Sequence, residues 1–272
     1  MMFDPASFLK KLNRCAVMGI VNITGDSFSE GPASAPESAE RRAFALFEAG
    51  ADILDLGAES TRPGSREVMP DEECTRLLPV LKRLRAALPE VVISIDTRHG
   101  ETARRALEAG ADIINDVSMG ADPALLEAAS RNDAALVLCH ARGTPDTMQS
   151  PQYTAYPAGV RLTVTAELEA ACEKAISAGV RKEKIIFDPG IGFAKTAEQC
   201  RTLIAEAALF DPRYIWLWGI SRKSFMGGDV SSRGPETLRL ELQLAAAGAA
   251  VIRTHDVRAL TAALQNREQR QI

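Results

Sequence analysis

Eight short, largely apolar segments recur along the whole chain. They are residues 16–23, 53–60, 91–97, 113–118, 136–140, 185–192, 215–221 and 251–256. The segments lack the period-two alternation of a strand with one wet face. They are apolar nearly throughout, which is typical of parallel strands that are buried on both faces.

The stretches after these segments place apolar residues three and four positions apart, which predicts a helix after each strand. They are residues 37–49, 71–88, 101–109, 123–131, 160–178, 197–210, 235–247 and 257–265. Several of them close on a glycine, which accepts the left-handed turn that often follows a helix. These glycines are Gly50, Gly110, Gly179 and Gly248.

Eight strands in strict alternation with eight helices predict a closed (β/α)8 barrel, or TIM barrel. The alternative is an open doubly wound sheet, which usually carries a Gly-rich dinucleotide-binding turn after its first strand. Here the first strand runs into the letters NITGD instead. A chain of 272 residues fits one barrel domain, 1–272, with its core at about 16–265.

Composition narrows the class of partner and the compartment. The net charge of −4 is spread along the chain without a basic block, so we expect no nucleic-acid partner. The five cysteines are odd in number and form no CxxC pair, which favours reduced thiols in a cytoplasmic protein. No apolar run is long enough for a membrane span, and the first residues lack the apolar core of a signal peptide.

Nearly every predicted strand ends in polar or charged residues. They are Asn22, Asp55 with Glu59, Asp96, Asn115 with Asp116, His140, Asp188, Arg222 with Lys223, and Arg253 with His255. In a β/α barrel these ends open on one face, which carries the active site. Taken alone, Asp55 or Asp116 is as compatible with a structural cap as with ligand binding. The convergence of all eight strand ends predicts a ligand cup.

The residue types in this cup indicate what it binds. Asp96, Asn115 and Asp188 suit a flat heterocycle with amino and carbonyl groups, because a carboxylate pairs bidentately with an N–H/NH₂ edge. Positive charge for a phosphate or pyrophosphate would come from Arg62, Arg253, His255 and Lys223. Asn22 offers a neutral oxygen for Mg²⁺. The Gly- and Pro-rich stretches 24–36 and 60–70 are suited to act as lids over the cup.

Eight motifs at these strand ends closely resemble the dihydropteroate synthase family. In order they read MGIVNITGDSFSEG, DLGAESTRPG, SIDTRHGETA, IINDVS, HARGTPDTMQ, DPGIGFAKT, GISRKSF and VIRTHDV. The resemblance extends from about residue 17 to 257. It implies a transferase of folate biosynthesis that condenses 7,8-dihydropterin-6-ylmethyl pyrophosphate with p-aminobenzoate, giving dihydropteroate and pyrophosphate by an SN1-like displacement. It also implies a homodimer.

The resemblance assigns site residues position by position. The pterin set comprises Asp96, Asn115, Asp188, Lys223 and Cys139. The pyrophosphate set comprises Asn22, Thr61, Arg62, Arg253 and His255, with Asn22 as the Mg²⁺ ligand. The p-aminobenzoate set comprises Phe28, Thr61, Pro63, Phe193 and Ser224. The catalytic set implied is Asp26, Arg62, Lys223, Arg253 and His255.

Three positions depart from the pattern of the family. Gly25 replaces the usual Pro, Cys139 replaces a common Met, and Ala194 replaces a common Gly. These changes bear on substrate affinity and sulfonamide sensitivity rather than on the reaction.

Two alternatives share the pterin cup: a methyltransferase that uses methyltetrahydrofolate, and a non-catalytic pterin-binding paralogue. The STRPG, SRKS and RTHD segments argue against the methyltransferase, which needs no grip on pyrophosphate.

Overall fold

The computed structural model describes residues 3–23, 35–59 and 68–271, apart from the side chains of residues 35 and 268–271. Eight parallel strands in these ranges form one closed barrel in chain order, with the last strand paired to the first. The strands are β1 (Ala16–Asn22), β2 (Ile53–Gly57), β3 (Val92–Asp96), β4 (Ile113–Asp116), β5 (Ala135–Cys139), β6 (Ile185–Asp188), β7 (Ile215–Trp218) and β8 (Val251–Thr254). The predicted (β/α)8 barrel is confirmed.

The helices surround this barrel. They are α1 (Pro5–Leu12), α2 (Ala35–Glu48), α3 (Pro70–Ala87), α4 (Gly100–Glu108), α5 (Pro123–Arg131), α6 (Val160–Ser177), α7 (Ala197–Ala205), α8 (Gly234–Ala246) and α9 (Val257–Gln271). All eight predicted helices are present, although 197–210 ends at Ala205 and continues as a 3-10 turn. Several strands end up to four residues before the predicted limit, because buried residues continue into the loops that follow them.

The core has two apolar layers because neighbouring strand residues point to opposite sides of the barrel wall. Val17 and Val21 of β1 pack outward against the helices, whereas Ala16 and Met18 fill the barrel interior. Helix α1, which the sequence patterns did not predict, covers the interior layer. Its partly buried apolar side chains, with Phe3 before it, pack against that layer; they are Phe8, Leu9 and Leu12.

The amino-terminal segment is also tied down by polar contacts. Asp4 caps α1 by accepting a hydrogen bond from the amide of Ser7 at 2.8 Å. Lys184, at the start of β6, is only 1 % exposed and donates to the carbonyl oxygens of Phe3 and Asp133. Because α1 and Lys184 lie at the amino-terminal ends of the strands, the opposite end of the barrel is left for a ligand.

Strand register brings the predicted site residues together at that opposite end. Asp96 pairs with Asn115 on the neighbouring strand, and Cys139 pairs with Asp188. Each of these residues lies within the last two positions of its strand. No helix in the described part of the chain is both long enough and apolar enough to cross a membrane.

Candidate active site

A guanidinium bridge occupies one side of the cup. Arg253 on β8 donates from Nε to Oδ2 of Asp55 and from Nη2 to Oδ2 of Asp96, both at 2.6 Å. Burial alone would lower the pKa of Arg253, but Asp55 and Asp96 outweigh it and raise that pKa. Nη1 makes no hydrogen bond to the described residues, so it remains available to a ligand.

Asn115 joins this bridge from β4. Its Nδ2 donates to Oδ2 of Asp55 at 3.2 Å. Two side-chain oxygens here are buried and have no hydrogen-bond partner among the residues described. They are Oδ1 of Asp55 and Oδ1 of Asn115. Buried acceptors are rarely left without a donor. The N–H and NH₂ groups of a heterocycle, or water before it binds, would satisfy them.

Burial raises the pKa of two carboxyl groups in the cup, those of Asp96 and Asp188. Burial raises the pKa of Asp96 to about 7, with Arg253 opposing the rise and the nearby Asp55 adding to it. Burial likewise raises the pKa of Asp188, against the pull of Lys223. A ligand that presents N–H donors or positive charge favours the ionised carboxylates, so such a ligand shifts both pKa values downward.

Asp188 and Lys223 form the other side of the cup. Oδ1 of Asp188 accepts from the amide of Gly190 at 2.7 Å. Lys223 donates to the carbonyl oxygen of Ile191, and its Nζ lies 4.9 Å from the centre of the Phe193 ring. Burial lowers the pKa of Lys223, and Asp188 opposes that change. Predicted contacts to pterin and to p-aminobenzoate are therefore adjacent in the structure.

Gly219, directly after β7, lies close to both sides of the cup. A Cβ added there would lie 3.8 Å from both Cδ of Arg253 and Oδ2 of Asp188. The guanidinium bridge and the Asp188–Lys223 pair therefore face one shared space. Three carboxylates and two cations surround this space, so the described part of the cup is suited to a polar ring that carries donors and some positive charge.

The remaining predicted residues within the described ranges lie around this space. Asn22 ends β1 with an exposed side chain, and Ser224 is also exposed. Nδ1 of His255 lies 2.9 Å from Oγ of Ser221, and the backbone amide of His255 donates to the same oxygen. Cys139 is buried, and burial raises the pKa of its thiol. The thiol of Cys139 is therefore uncharged.

Five predicted residues lie outside the described residues: Asp26, Phe28, Thr61, Arg62 and Pro63. Gly25 lies outside them as well, as do most of the two stretches predicted to act as lids. Ala194, which departs from the pattern of the family, lies within the described residues. It adopts a left-handed backbone with φ of 50°, a conformation that suits glycine and strains a residue with a Cβ.

Some polar strand ends are structural instead of facing the cup. Asp116 accepts hydrogen bonds from the amides of Ser118 and Gly120, so it holds the loop that follows β4. Asp55, equally ambiguous in the sequence, does belong to the cup, because it binds Arg253 and Asn115 there. His140 is fully buried between Glu167 and Lys195. Lys195 follows Phe193 by two positions, but no sequence pattern indicated a role for it.

Comparisons with known proteins agree with this geometry. The sequence profile of the family described as "Pterin binding enzyme" matches residues 18–255. Dihydropteroate synthase of Synechocystis sp. is 40% identical over 256 residues, covering 91% of this chain and 87% of that protein. The enzyme of Escherichia coli K12 is 40% identical over 258 residues, covering 92% and 89%.

Solved structures of dihydropteroate synthases have the same fold as this chain. Xanthomonas albilineans dihydropteroate synthase with 4-aminobenzoic acid superposes with a TM-score of 0.88 at 35% identity, covering 96% of this chain and 94% of the other. The enzyme from Clostridium difficile, in the presence of pteroic acid, gives a TM-score of 0.86 at 34% identity, with coverage of 94% and 96%.

Proposed function

We propose that this chain, which belongs to the dihydropteroate synthase family of pterin-binding enzymes, condenses a dihydropterin-methyl pyrophosphate with p-aminobenzoate. The observation that carries the proposal is the convergence of Asp96, Asn115 and Asp188 with Arg253 and Lys223 around one space at the carboxyl ends of the strands. Membership in the family makes the chain a transferase of folate synthesis.

The pterin would bind across the shared space. Asp188, with Lys223 beside it, would receive the amino and ring N–H groups of the pterin, and Oδ1 of Asn115 would accept a further donor. Asp96 would face the opposite edge from its place beside Arg253. Because these groups favour positive charge on the ring, they also favour the cationic methylene that forms when the C–O bond to pyrophosphate breaks.

The leaving group takes the electron pair of that C–O bond and needs positive charge nearby. Nη1 of Arg253 would supply it, with the predicted help of Arg62 and of a protonated His255, while the hydroxyl of Thr61 would donate a hydrogen bond. The neutral aniline nitrogen of p-aminobenzoate then forms the new C–N bond to the methylene, and the ammonium that results gives its proton to solvent. No strong base is needed, because this nitrogen is already a nucleophile when neutral. Phe193 and Ser224, next to Lys223, would form one wall for this second substrate.

Magnesium is proposed as the cofactor, with Asn22 as its protein ligand. The side chain of Asn22 is exposed at the end of β1, so an ion bound there would stay open to water. This fits an ion that keeps several waters and binds substrate phosphates. When bound, Mg²⁺ would supply positive charge to the pyrophosphate.

Loss of the Asn22 oxygen is expected to weaken this site. We expect Asn22→Ala to raise the Mg²⁺ concentration for half-maximal activity by about tenfold, within the range seen when support for a metal site is removed. Steady-state rates titrated with MgCl₂ after chelation measure this. Asn22→Asp retains an oxygen ligand and is the matched control. An unchanged Mg²⁺ response in Asn22→Ala would remove Asn22 from the metal site.

Pyrophosphate release tests the function itself. Wild-type protein should release pyrophosphate only when both the pterin pyrophosphate and p-aminobenzoate are present. Pterin binding without release would identify a non-catalytic paralogue. Methyl transfer from methyltetrahydrofolate, without p-aminobenzoate-dependent release, would identify the methyltransferase alternative. Sulfonamide inhibition constants of the wild type and of Gly25→Pro, measured in the same assay, would show how Gly25 changes sulfonamide sensitivity.

Assembly and compartment are part of the proposal. We propose a homodimer in the cytoplasm. All five cysteines are free thiols, in keeping with a reducing compartment. On α8, Leu238, Leu242 and Ala245 remain partly exposed beside the buried face, and they would contribute to a subunit interface. Sedimentation equilibrium tests the dimer; a monomer at micromolar concentration would contradict it.

A further inference from the structure

Lys195 is a buried basic residue that the proposed function does not use, and burial lowers the pKa of its amine to about 7. It lies just before α7, and its side chain is 3 % exposed. Nζ lies 2.8 Å from Nδ1 of His140, 3.1 Å from the carbonyl oxygen of Gly190 and 3.0 Å from that of Phe193. An ammonium group has three protons and no acceptor. Two carbonyl oxygens and one imidazole nitrogen therefore match all three of its donors.

The imidazole of His140 is held in the form that this arrangement needs. Nε2 lies 2.9 Å from Oε2 of Glu167, and a carboxylate there can only accept, so the ring proton is on Nε2. Nδ1 is thus left as the acceptor for Lys195. Burial, together with the charge of Lys195, lowers the pKa of His140 to about 4, which keeps the ring neutral.

Glu167 is anchored in turn. Arg142 binds both of its carboxylate oxygens, and the guanidinium lies 4.2 Å from the centre of the Tyr156 ring. The hydroxyl of Tyr156 donates to the carbonyl oxygen of Ala194 at 3.0 Å. The chain of contacts therefore leaves the loop at Lys195 and returns to it at Ala194, which has the strained left-handed backbone.

Each loop residue held by Lys195 has a second group in the candidate active site. The carbonyl of Gly190 accepts from Lys195, while its amide donates to Asp188. The carbonyl of Phe193 accepts from Lys195, while its ring lies beneath Nζ of Lys223. A Cβ on Gly190 would come within 1.9 Å of the carbonyl oxygen of His140, so the loop is pressed against the end of β5.

We propose that Lys195 is a positioning residue, which fixes the loop 189–195 from behind and so sets the orientation of the Asp188 carboxylate, the Lys223 ammonium and the Phe193 ring. Lys195 itself does not touch substrate. The identity of the affected substrates rests on the proposed function: the loop would align the pterin contacts with the wall for p-aminobenzoate. The placement of the loop does not depend on that function.

Lys195→Met tests the proposal, because methionine keeps most of the unbranched side chain, one atom shorter, and removes all three donors. The matched control is Lys184→Met, which removes an equally buried ammonium that binds backbone carbonyls at the opposite end of the barrel. Hydrogen–deuterium exchange of the substrate-free proteins is the first measurement. We expect about tenfold faster exchange for amides in 190–195 in Lys195→Met, the equivalent of one net hydrogen bond, and no change there in Lys184→Met.

Kinetics supply the second measurement. In Lys195→Met we expect KM for p-aminobenzoate to rise about tenfold, with kcat changing by less than about threefold, because the loop still reaches its native position in the ternary complex. Lys184→Met should lose stability and keep both constants. Equal exchange in the two variants, or a fall in kcat with KM unchanged, would overturn the positioning role.

A second pair of variants covers the case in which Lys195→Met does not fold. Glu167 is partly exposed, so its substitution is milder. Glu167→Leu removes the acceptor that fixes the tautomer of His140; a proton on Nδ1 would then face the ammonium of Lys195. Glu167→Gln keeps an acceptor oxygen. Faster exchange of 190–195 in Glu167→Leu alone supports the proposal, and equal exchange in both variants contradicts it. Because exchange needs no substrate, this result is separate from any failure of pyrophosphate release.

Discussion

Arg253→Ala is expected to lower kcat/KM for pyrophosphate release by about a thousandfold. The guanidinium bridges Asp55 and Asp96 at 2.6 Å and leaves Nη1 for the leaving group. A donor that stabilises charge developing in the transition state typically contributes two to three orders of magnitude. Alanine removes that charge, and it also leaves two buried carboxylates without their shared partner. Steady-state pyrophosphate release measures the loss.

The same variant should be less stable, and more so at high pH. Breaking a buried ion pair by removing one partner costs about 3–5 kcal/mol. Burial raises the pKa of Asp96 to about 7 even with Arg253 present, and loss of the cation raises it further. The folded variant then holds a proton that the unfolded chain loses near its usual pKa of about 4. Its free energy of unfolding should therefore fall as pH rises from 5 to 8.

Two controls separate charge from geometry. Arg253→Lys keeps a positive charge, but a single ammonium lacks the planar fork that binds two carboxylates, so we expect an intermediate loss of activity. Arg239→Ala removes an arginine that pairs with Glu236 on the exposed face of α8 and should leave activity unchanged. Urea denaturation at pH 5 and pH 8 gives the stabilities. Wild-type activity in Arg253→Ala would contradict the assignment.

Asp188→Asn is expected to weaken pterin binding by about 100-fold. Asparagine keeps the shape and can still accept the hydrogen bond from the Gly190 amide at Oδ1. It replaces the second oxygen with an NH₂ group, which would face the N–H donors of the pterin. Hydrogen bonds to a charged group contribute about 1.5–3 kcal/mol, and the mismatch adds to that loss. Titration calorimetry with a pterin monophosphate measures the dissociation constant.

Asp116→Asn is the matched control for Asp188→Asn. Asp116 is also a buried carboxylate at the end of its strand, but it accepts from Ser118 and Gly120 in the loop after β4. The substitution should reduce stability and leave pterin affinity unchanged. If both variants lost pterin affinity equally, the effect would come from a change in the whole barrel, and the assignment of Asp188 to pterin binding would be wrong.

Much of the barrel could be predicted because its signals are local in the sequence. Parallel strands covered by helices on one side and by packed side chains on the other must be apolar along their length, and the helices between them keep their own spacing. The polar residues at the strand ends could be located for the same reason. Asp96 and Asn115 are paired in register once the barrel closes.

Other features were not local and could not be predicted. Helix α1 is short, and it is stabilised by the interior layer that it covers rather than by a pattern of its own. Asp55 and Asp116 are equivalent in the sequence, and only their partners in the structure distinguish them. Arg253 was predicted to bind pyrophosphate, yet two of its nitrogens are engaged with the carboxylates of the cup; its role toward pyrophosphate stays a prediction.

The barrel, the end at which the site lies and the class of residues in it follow from the order of the residues, because apolar periodicity and strand-end polarity are properties of neighbouring residues. Which polar residue serves the cup and which supports a loop follows from the folded barrel. That choice depends on contacts between residues as distant as Asp55 and Arg253, or His140 and Lys195. A buried charge is stable only where the closed barrel brings it a partner, and no local pattern records which partner that is.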